Sequence, residues 1–134
     1  MIDENKQQLL ASKSILVVDD NPDICELCRE YLKPLVGSVT TNNGTDVIET
    51  LEAVRDSDVL VLDVMLEQTD CVSYCRAIDA LFPDVRIIII TGYECDDILK
   101  MLSGVLGKEV CVVKKPFTAD DLVEAITTTI SASP

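Results

Sequence analysis

The apolar run at residues 59–62 constrains the fold of this chain more strongly than any other segment. It reads Val-Leu-Val-Leu, without alternation of apolar and polar positions, which is typical of a strand buried on both faces of a sheet. Asp63 follows directly, and an unpaired carboxylate is costly to bury. We therefore expect Asp63 to lie at the carboxyl end of a central parallel strand, where open α/β sheets bind ligands.

Strand-like runs alternate five times with helical patterns along the 134 residues. This alternation predicts one α/β domain, a three-layer doubly wound five-stranded parallel sheet with helices on both faces. The predicted strands cover residues 14–20 (with two closing acids), 37–41, 59–63, 86–91 and 109–113. The predicted helices cover about 22–32, 46–55 after a cap at Thr45, 70–82, 96–103, and 119–129 after a cap at Thr118.

Local signals set the limits and faces of these helices. Asn21 followed by Pro22 is a helix start signal, and Gly104 is expected to lie at the end of the fourth predicted helix. The helix capped by Thr45 is predicted to turn four apolar side chains inward. They are Val47, Ile48, Leu51 and Val54.

The charge and composition exclude several classes of protein. Eleven Lys and Arg stand against 24 Asp and Glu, giving a net charge of -13 without a single histidine. Such acidity disfavours direct nucleic-acid binding and repels anionic membranes. No run approaches the ~18 apolar residues of a membrane span, and residues 1–13 lack the apolar stretch of a signal peptide. These features predict a cytoplasmic protein.

Six cysteines are present, including Cys25 and Cys28 in a Cys-x-x-Cys arrangement. Without an export signal a disulfide framework is not expected, and a zinc site would need a second close pair or histidine. Both residues fall within a predicted helix rather than at its start, where a thiolate would be activated. We predict that the cysteines fill apolar space and carry no chemistry.

Polar side chains stand at the carboxyl ends of four predicted strands, and parallel strands bring those ends to one edge. Three carboxylates held together repel one another and call for a cation. An all-oxygen cluster without histidine suits Mg²⁺ or Mn²⁺, beside which a carboxylate can attack a phosphoryl group. A lysine and a threonine hydroxyl can stabilise the phosphoryl charge. The residues are Asp19, Asp20, Asp63, Thr91, Lys114 and Lys115.

Four motifs, in this order and at these separations, resemble the receiver domain of bacterial two-component response regulators. They are Asp19-Asp20, Asp63 in Leu-Asp-Val-Met-Leu, Thr91-Gly92, and Lys115-Pro116-Phe117. The resemblance runs from about residue 14 to 130. It implies a receiver domain at 14–131, between an N-terminal extension at 1–13 and a tail at 132–134, with the flavodoxin-like strand order 2-1-3-4-5.

The resemblance also implies the roles of individual residues. Asp63 would accept a phosphoryl group from a histidine kinase or a histidine phosphotransfer protein. Asp20 and Asp63 would bind Mg²⁺ directly, together with the backbone carbonyl of Met65, while Asp19 would act largely through water. Lys115 matches the family's lysine and Thr91 its switch hydroxyl. The chain would thus be a phosphoacceptor module rather than an enzyme acting on other substrates, with a homodimer among its expected assemblies.

Three positions depart from the family pattern. Glu67 stands where the family usually has proline, and Cys71 where it usually has glycine. Val112 stands where it usually has tyrosine or phenylalanine, whose ring reports the movement of the threonine. Phosphoacceptance is expected to survive these departures, whereas the output would rest on backbone shifts alone.

Three alternatives remain open. A flavodoxin-type protein would need a hydroxyl- and glycine-rich phosphate loop, but residues 19–22 (Asp-Asp-Asn-Pro) repel anions. An aspartate-nucleophile phosphatase would need a second acid two residues after Asp63, where Met65 stands. A degenerate receiver would act by contact without phosphorylation, and Val112 is compatible with that.

A chain that ends at residue 134 is expected to be a stand-alone receiver or a piece of a longer protein, with its output partner unidentified.

Overall fold

The computed structural model describes residues 4–64, 70–92, 96–108 and 110–131. Its helices are α1 (Glu4–Ala11), α2 (Pro22–Leu32), α3 (Val47–Arg55), α4 (Cys71–Leu81), α5 (Asp96–Leu106) and α6 (Ala119–Ser131). Its strands are β1 (Ser14–Val18), β2 (Ser38–Asn42), β3 (Val59–Asp63), β4 (Arg86–Thr91) and β5 (Cys111–Lys114). Among the helices described, none is long and apolar enough to cross a membrane.

The five strands form one parallel sheet in the order β2-β1-β3-β4-β5, which confirms the predicted fold class and strand order. Strand β3 is fully buried at the centre, as its unbroken apolar run predicts. Val59 and Val61 pack in the core beneath α2 and α6. Leu60 and Leu62 pack in the opposite core, beneath α3, α4 and α5. Since successive side chains point to opposite faces, one strand serves both cores.

Helix α3 differs from its prediction. Its N-cap is Asp46, whose carboxylate accepts from the Glu49 N–H at 3.0 Å, rather than Thr45. Val47 and Ile48, predicted to face inward, are 52% and 71% exposed. The fully buried Thr50 faces the core instead, because its hydroxyl bonds within the protein to the Asn42 side chain and the Asp46 carbonyl. Apolar periodicity alone does not detect a buried threonine.

Helix α5 continues through Gly104 to Leu106, so the predicted end at Gly104 is wrong. The chain leaves the helix at Gly107, whose φ of 68° is readily adopted only by glycine. Strand β5 begins at Cys111 and extends to Lys114, one residue beyond the predicted end. Glu109, predicted to start it, lies outside the described residues.

The N-terminal segment contains helix α1, which the sequence did not predict. Leu10 is 1% exposed and belongs to the core beneath α2 and α6. The chain between α1 and β1 is tied to the start of β2, because the Lys13 carbonyl accepts from the N–H groups of Gly37 (2.9 Å) and Ser38 (3.2 Å). A Cβ at Gly37 would lie 3.0 Å from the carbonyl oxygens of both Ala11 and Lys13. Gly37 therefore permits this close approach.

Gly37→Ala is expected to lower the free energy of unfolding by about 1–3 kcal/mol, because the added methyl group overpacks two backbone carbonyls. Thermal unfolding followed by circular dichroism measures the effect. Gly104→Ala is the matched control, because a Cβ there meets nothing within 4 Å and alanine favours the helix. An unchanged melting temperature for Gly37→Ala would contradict the proposed role of this glycine.

Candidate functional site

Three carboxylates meet at the carboxyl edge of the sheet. Asp63 is the last residue of β3, while Asp19 and Asp20 follow the neighbouring strand β1. Each offers an oxygen that lies within 4.8 Å of the other two. Asp19 and Asp63 are buried, at 1% and 5% exposed, whereas Asp20 is exposed. The cluster therefore opens to solvent on the side of Asp20.

The start of α2 and the end of β2 hold Asp19 in place. Its Oδ1 accepts from the Asn21 N–H at 2.8 Å, and its own N–H donates to the Asn42 carbonyl at 3.1 Å. The Cys25 thiol donates to the Asp19 carbonyl at 3.3 Å. Asn21 also caps α2 by accepting from the Asp23 N–H at 2.9 Å. Asn21 thus links the two: its side chain caps α2, and its backbone N–H holds the Asp19 carboxylate.

Lys115 brings a positive charge to the cluster from beyond β5. Its Nζ lies 3.0 Å from Asp19 Oδ2 and 3.5 Å from Asp63 Oδ2. Its N–H donates to the Thr91 carbonyl at 2.7 Å, which fixes the backbone at the end of β4. Lys114, one residue earlier, is exposed. Of the two candidate lysines, the structure places Lys115 in the site.

The pKa directions reflect this crowding. Burial raises the pKa of Asp19, and repulsion from Asp63 adds to it, against the hydrogen bonds from Asn21 and Lys115. Burial acts to lower the pKa of Lys115, but its hydrogen bond to Asp19 and the attraction of both carboxylates outweigh it and raise the pKa. One ammonium leaves the three carboxylates with an excess of negative charge. The site therefore favours a further cation.

Thr91 is the last residue of β4 and is 1% exposed. Asp63 pairs in register with Ile90, so Thr91 lies one position further along the same edge. Met65, predicted as a backbone ligand, and Glu67 lie outside the described residues. Val112 is half-buried on β5, paired in register with Ile89, and packs against the core beneath α3, α4 and α5.

Sequence reasoning missed Asn42, although the signal that identified the acids applies to it. It is a polar residue at the end of β2, and its Oδ1 accepts from the Gly44 N–H at 2.7 Å and the Thr50 hydroxyl at 3.0 Å. A groove of about 500 Å³ beside the cluster extends along this side of the molecule. Its lining includes Asp19, Asp20, Pro22, Cys25, Thr41 and Asn42.

The donor set fits a hard divalent cation, because the ligand atoms that the described residues offer are carboxylate oxygens. Asp63 provides an oxygen nucleophile within reach of the Lys115 ammonium. A cation site, a nucleophilic carboxylate and a nearby ammonium are the groups that phosphoryl transfer to a carboxylate requires. Catalysis of such a transfer depends on positioning the reactants and neutralising their charge.

Asp19→Asn is expected to raise the free energy of unfolding, and with it the melting temperature, without divalent cations at pH 7. The raised pKa of Asp19 means that its ionised form destabilises the fold above that pKa. The amide removes this charge and keeps an oxygen for the Asn21 N–H, while the loss of the ion pair with Lys115 limits the gain. Thermal melts in chelator measure the gain.

The gain from Asp19→Asn should shrink as the pH falls through the raised pKa, because wild-type Asp19 then becomes neutral as well. Asp56→Asn, at an exposed position outside the cluster, is the control and should change stability little. A lower melting temperature for Asp19→Asn in chelator at pH 7 would contradict this account of the charge balance.

Residues 15–127 match the model of a protein family described as "Response regulator receiver domain". "Response regulator MprA" of Mycobacterium ulcerans is 30% identical over 114 residues, which are 84% of this chain and 47% of that protein. "Transcriptional regulatory protein BaeR" of Escherichia coli is 28% identical over 127 residues, which are 95% of this chain and 49% of that protein. The chain thus spans about half the length of the curated relatives it matches.

Solved structures share the architecture. The structure titled "BeF3 Activated DrrB Receiver Domain" matches with a TM-score of 0.74 and 28% identity, covering 90% of this chain and 99% of that chain. A response regulator from Thermotoga maritima matches with a TM-score of 0.76 and 22% identity, covering 90% of this chain and 99% of that one. The family match and the described edge of the sheet both contain Asp19, Asp20, Asp63, Thr91 and Lys115.

Proposed function

Since the chain belongs to the family of response regulator receiver domains, we propose that it accepts a phosphoryl group on Asp63 from a histidine kinase or a histidine phosphotransfer protein. The observation that carries the proposal is the position of Lys115 Nζ, which lies within 3.5 Å of carboxylate oxygens of both Asp19 and Asp63. It supports a site that handles developing negative charge beside a nucleophilic carboxylate.

The transfer is a displacement at phosphorus. A carboxylate oxygen of Asp63 forms the new O–P bond, and the P–N bond to the donor imidazole breaks, leaving its electron pair on the histidine nitrogen. The product on Asp63 is an acyl phosphate. Lys115 pairs with the phosphoryl oxygens, and the hydroxyl of Thr91 donates a hydrogen bond to one of them. The chemistry is confined to the protein's own side chain, so the chain is a phosphoacceptor module and not an enzyme with an external substrate.

Mg²⁺, or Mn²⁺, is the proposed cofactor. Asp19, Asp20 and Asp63 would hold it, Asp19 largely through water, with the carbonyl of Met65 as a further proposed ligand. When bound, the ion neutralises the carboxylates and the phosphoryl oxygens as they approach each other. Among the described residues, three carboxylates stand against the ammonium of Lys115 at this edge, and this excess of negative charge supports the assignment.

The signal is proposed to pass from Thr91 to β5 through the backbone. The Thr91 carbonyl accepts from the Lys115 N–H at 2.7 Å, so a displacement of Thr91 acts directly on the segment that follows β5. Val112 has no ring that could swing between a buried and an exposed position. The proposal includes a kinase or phosphotransfer protein as the phosphoryl donor, and an output partner or a second copy of this chain as the receiver of the signal. It also places the protein in the cytoplasm.

Incubation with acetyl phosphate and Mg²⁺, followed by intact mass spectrometry, tests phosphoacceptance. The protein should gain the mass of one phosphoryl group, and a chelator should prevent the gain because the carboxylates then repel the donor. If no mass is gained with Mg²⁺ or with Mn²⁺, the chain is instead an interaction module that works without phosphorylation, which the absent ring at Val112 would favour.

A further inference from the structure

Asn42, the last residue of β2, contacts the backbone of Asp19 at the edge of the sheet where the acidic cluster lies. The register of β1 and β2 ends with Val18 opposite Asn42, and the Asn42 carbonyl then accepts from the Asp19 N–H at 3.1 Å. Asn42 and Asp19 also line the same groove of about 500 Å³. Because β2 is an edge strand and the ends of strands tend to fray, the position of Asp19 depends on what holds the end of β2.

The side chain of Asn42 connects this strand end to α3. Its Oδ1 accepts from the Thr50 hydroxyl at 3.0 Å and from the Gly44 N–H at 2.7 Å. Thr50 lies on α3 and is fully buried, so it is a firm point of attachment. Gly44 has a φ of 80°, which glycine adopts readily, and its N–H closes the turn that follows β2. One amide oxygen therefore holds both the turn and the strand end against the helix.

Helix α2 holds β2 from the other face of the sheet. The Arg29 guanidinium donates to the Val39 carbonyl at 3.3 Å and to the Thr41 hydroxyl at 3.0 Å. These two contacts reach as far as Thr41, one residue before Asn42. The residue that carries the hydrogen bond to Asp19 is thus held by its own side chain, on the face of the sheet that α3 covers.

We propose that Asn42 is a positioning residue for the cation site. Its side chain fixes the strand end and its carbonyl fixes the Asp19 backbone, so that the Asp19 carboxylate is held where it meets those of Asp20 and Asp63. This role rests on the proposed function, because the divalent cation assigned to these carboxylates is part of that function. Groups that orient metal ligands commonly contribute about ten- to hundredfold to metal affinity.

Binding of Mn²⁺, followed by the decrease of the free-ion signal in electron paramagnetic resonance, tests this role. Asn42→Ala removes the acceptor oxygen and should raise the dissociation constant for Mn²⁺ about tenfold or more. Asn42→Asp keeps an oxygen for both donors and should bind Mn²⁺ at least as tightly as wild type. Thr50→Val removes one of the two donors and should weaken binding by a smaller factor. Asp63→Asn removes a carboxylate of the cluster and identifies the Mn²⁺ that is bound there.

Hydrogen exchange of the Asp19 amide, followed by NMR in chelator, measures the positioning without any cation. Exchange should be about tenfold faster in Asn42→Ala, because the hydrogen bonds that hold its acceptor are lost, and should remain near the wild-type rate in Asn42→Asp. Ser57→Ala is the matched control. The Ser57 hydroxyl donates to the Ala53 carbonyl at 2.7 Å near the other end of α3, so this variant also loses one side-chain hydrogen bond. It should leave Mn²⁺ affinity and Asp19 exchange unchanged.

Several results would overturn the positioning role and leave the proposed function standing. They are wild-type Mn²⁺ affinity in Asn42→Ala, Asp19 exchange as fast in Asn42→Asp as in Asn42→Ala, and equal losses in Ser57→Ala. If wild type binds no more Mn²⁺ than Asp63→Asn does, the assignment of the cation fails, and the positioning role fails with it. The two failures are distinguishable, because the first concerns the variants alone and the second is already seen in wild type.

Discussion

Asp63→Asn is expected to abolish phosphoryl uptake from acetyl phosphate. The amide has nearly the shape of the carboxylate but is not a nucleophile, so no O–P bond can form at this position. Lys115 Nζ lies 3.5 Å from Asp63 Oδ2, and the amide oxygen can still accept from it. The fold should therefore persist while the mass gain seen with wild type in Mg²⁺ disappears.

Asp56→Asn is the matched control for this loss. Asp56 follows α3 and is exposed, and its side chain pairs with the neighbouring Arg55 at 3.3 Å. Its substitution should leave both the extent and the rate of phosphoryl uptake unchanged. Uptake by Asp63→Asn at the wild-type level, with an intact far-ultraviolet spectrum, would move the acceptor to another residue.

Lys115→Met should slow phosphoryl uptake by about 10²-fold or more, the usual cost of removing one group that stabilises transition-state charge. Methionine keeps much of the length and the apolar stem of the side chain but removes the ammonium that lies 3.0 Å from Asp19 and 3.5 Å from Asp63. The rate is read from the time course of intact mass with acetyl phosphate and saturating Mg²⁺.

Lys114→Met separates this effect from a general loss of positive charge. The two lysines are adjacent, but the Lys114 side chain is exposed and Lys115 is the one paired with the acids. The Lys114 variant should retain the wild-type rate. Equal losses in the two variants would show that the ammonium position inferred from the structure has no special role.

The sheet could be predicted because the sequence pattern of its central strand is an unbroken run of apolar residues. Residues 59–62 have no polar position, and a strand without one must be covered on both faces, which places it at the centre. The helices were harder, since their burial depends on partners that are distant in sequence. Thr50 is buried because Asn42 supplies an acceptor, and Leu10 is buried because the core beneath α2 and α6 has room for it.

The acidic cluster was predictable for a related reason. The carboxyl ends of parallel strands share one edge, so Asp19, Asp63 and Thr91 could be placed together from their positions alone. The choice between Lys114 and Lys115 rested on the resemblance, and the Nζ distances now support it.

The central claim is that Asp63 carries the phosphoryl group. Reduction with borohydride after incubation with acetyl phosphate and Mg²⁺ converts an aspartyl phosphate to homoserine, and fragmentation of the tryptic peptide 56–76 locates it among Asp56, Asp58, Asp63 and Asp70. We expect homoserine at position 63 and aspartate at the other three. Homoserine at another position, or none in a protein that has gained phosphoryl mass, would contradict the account.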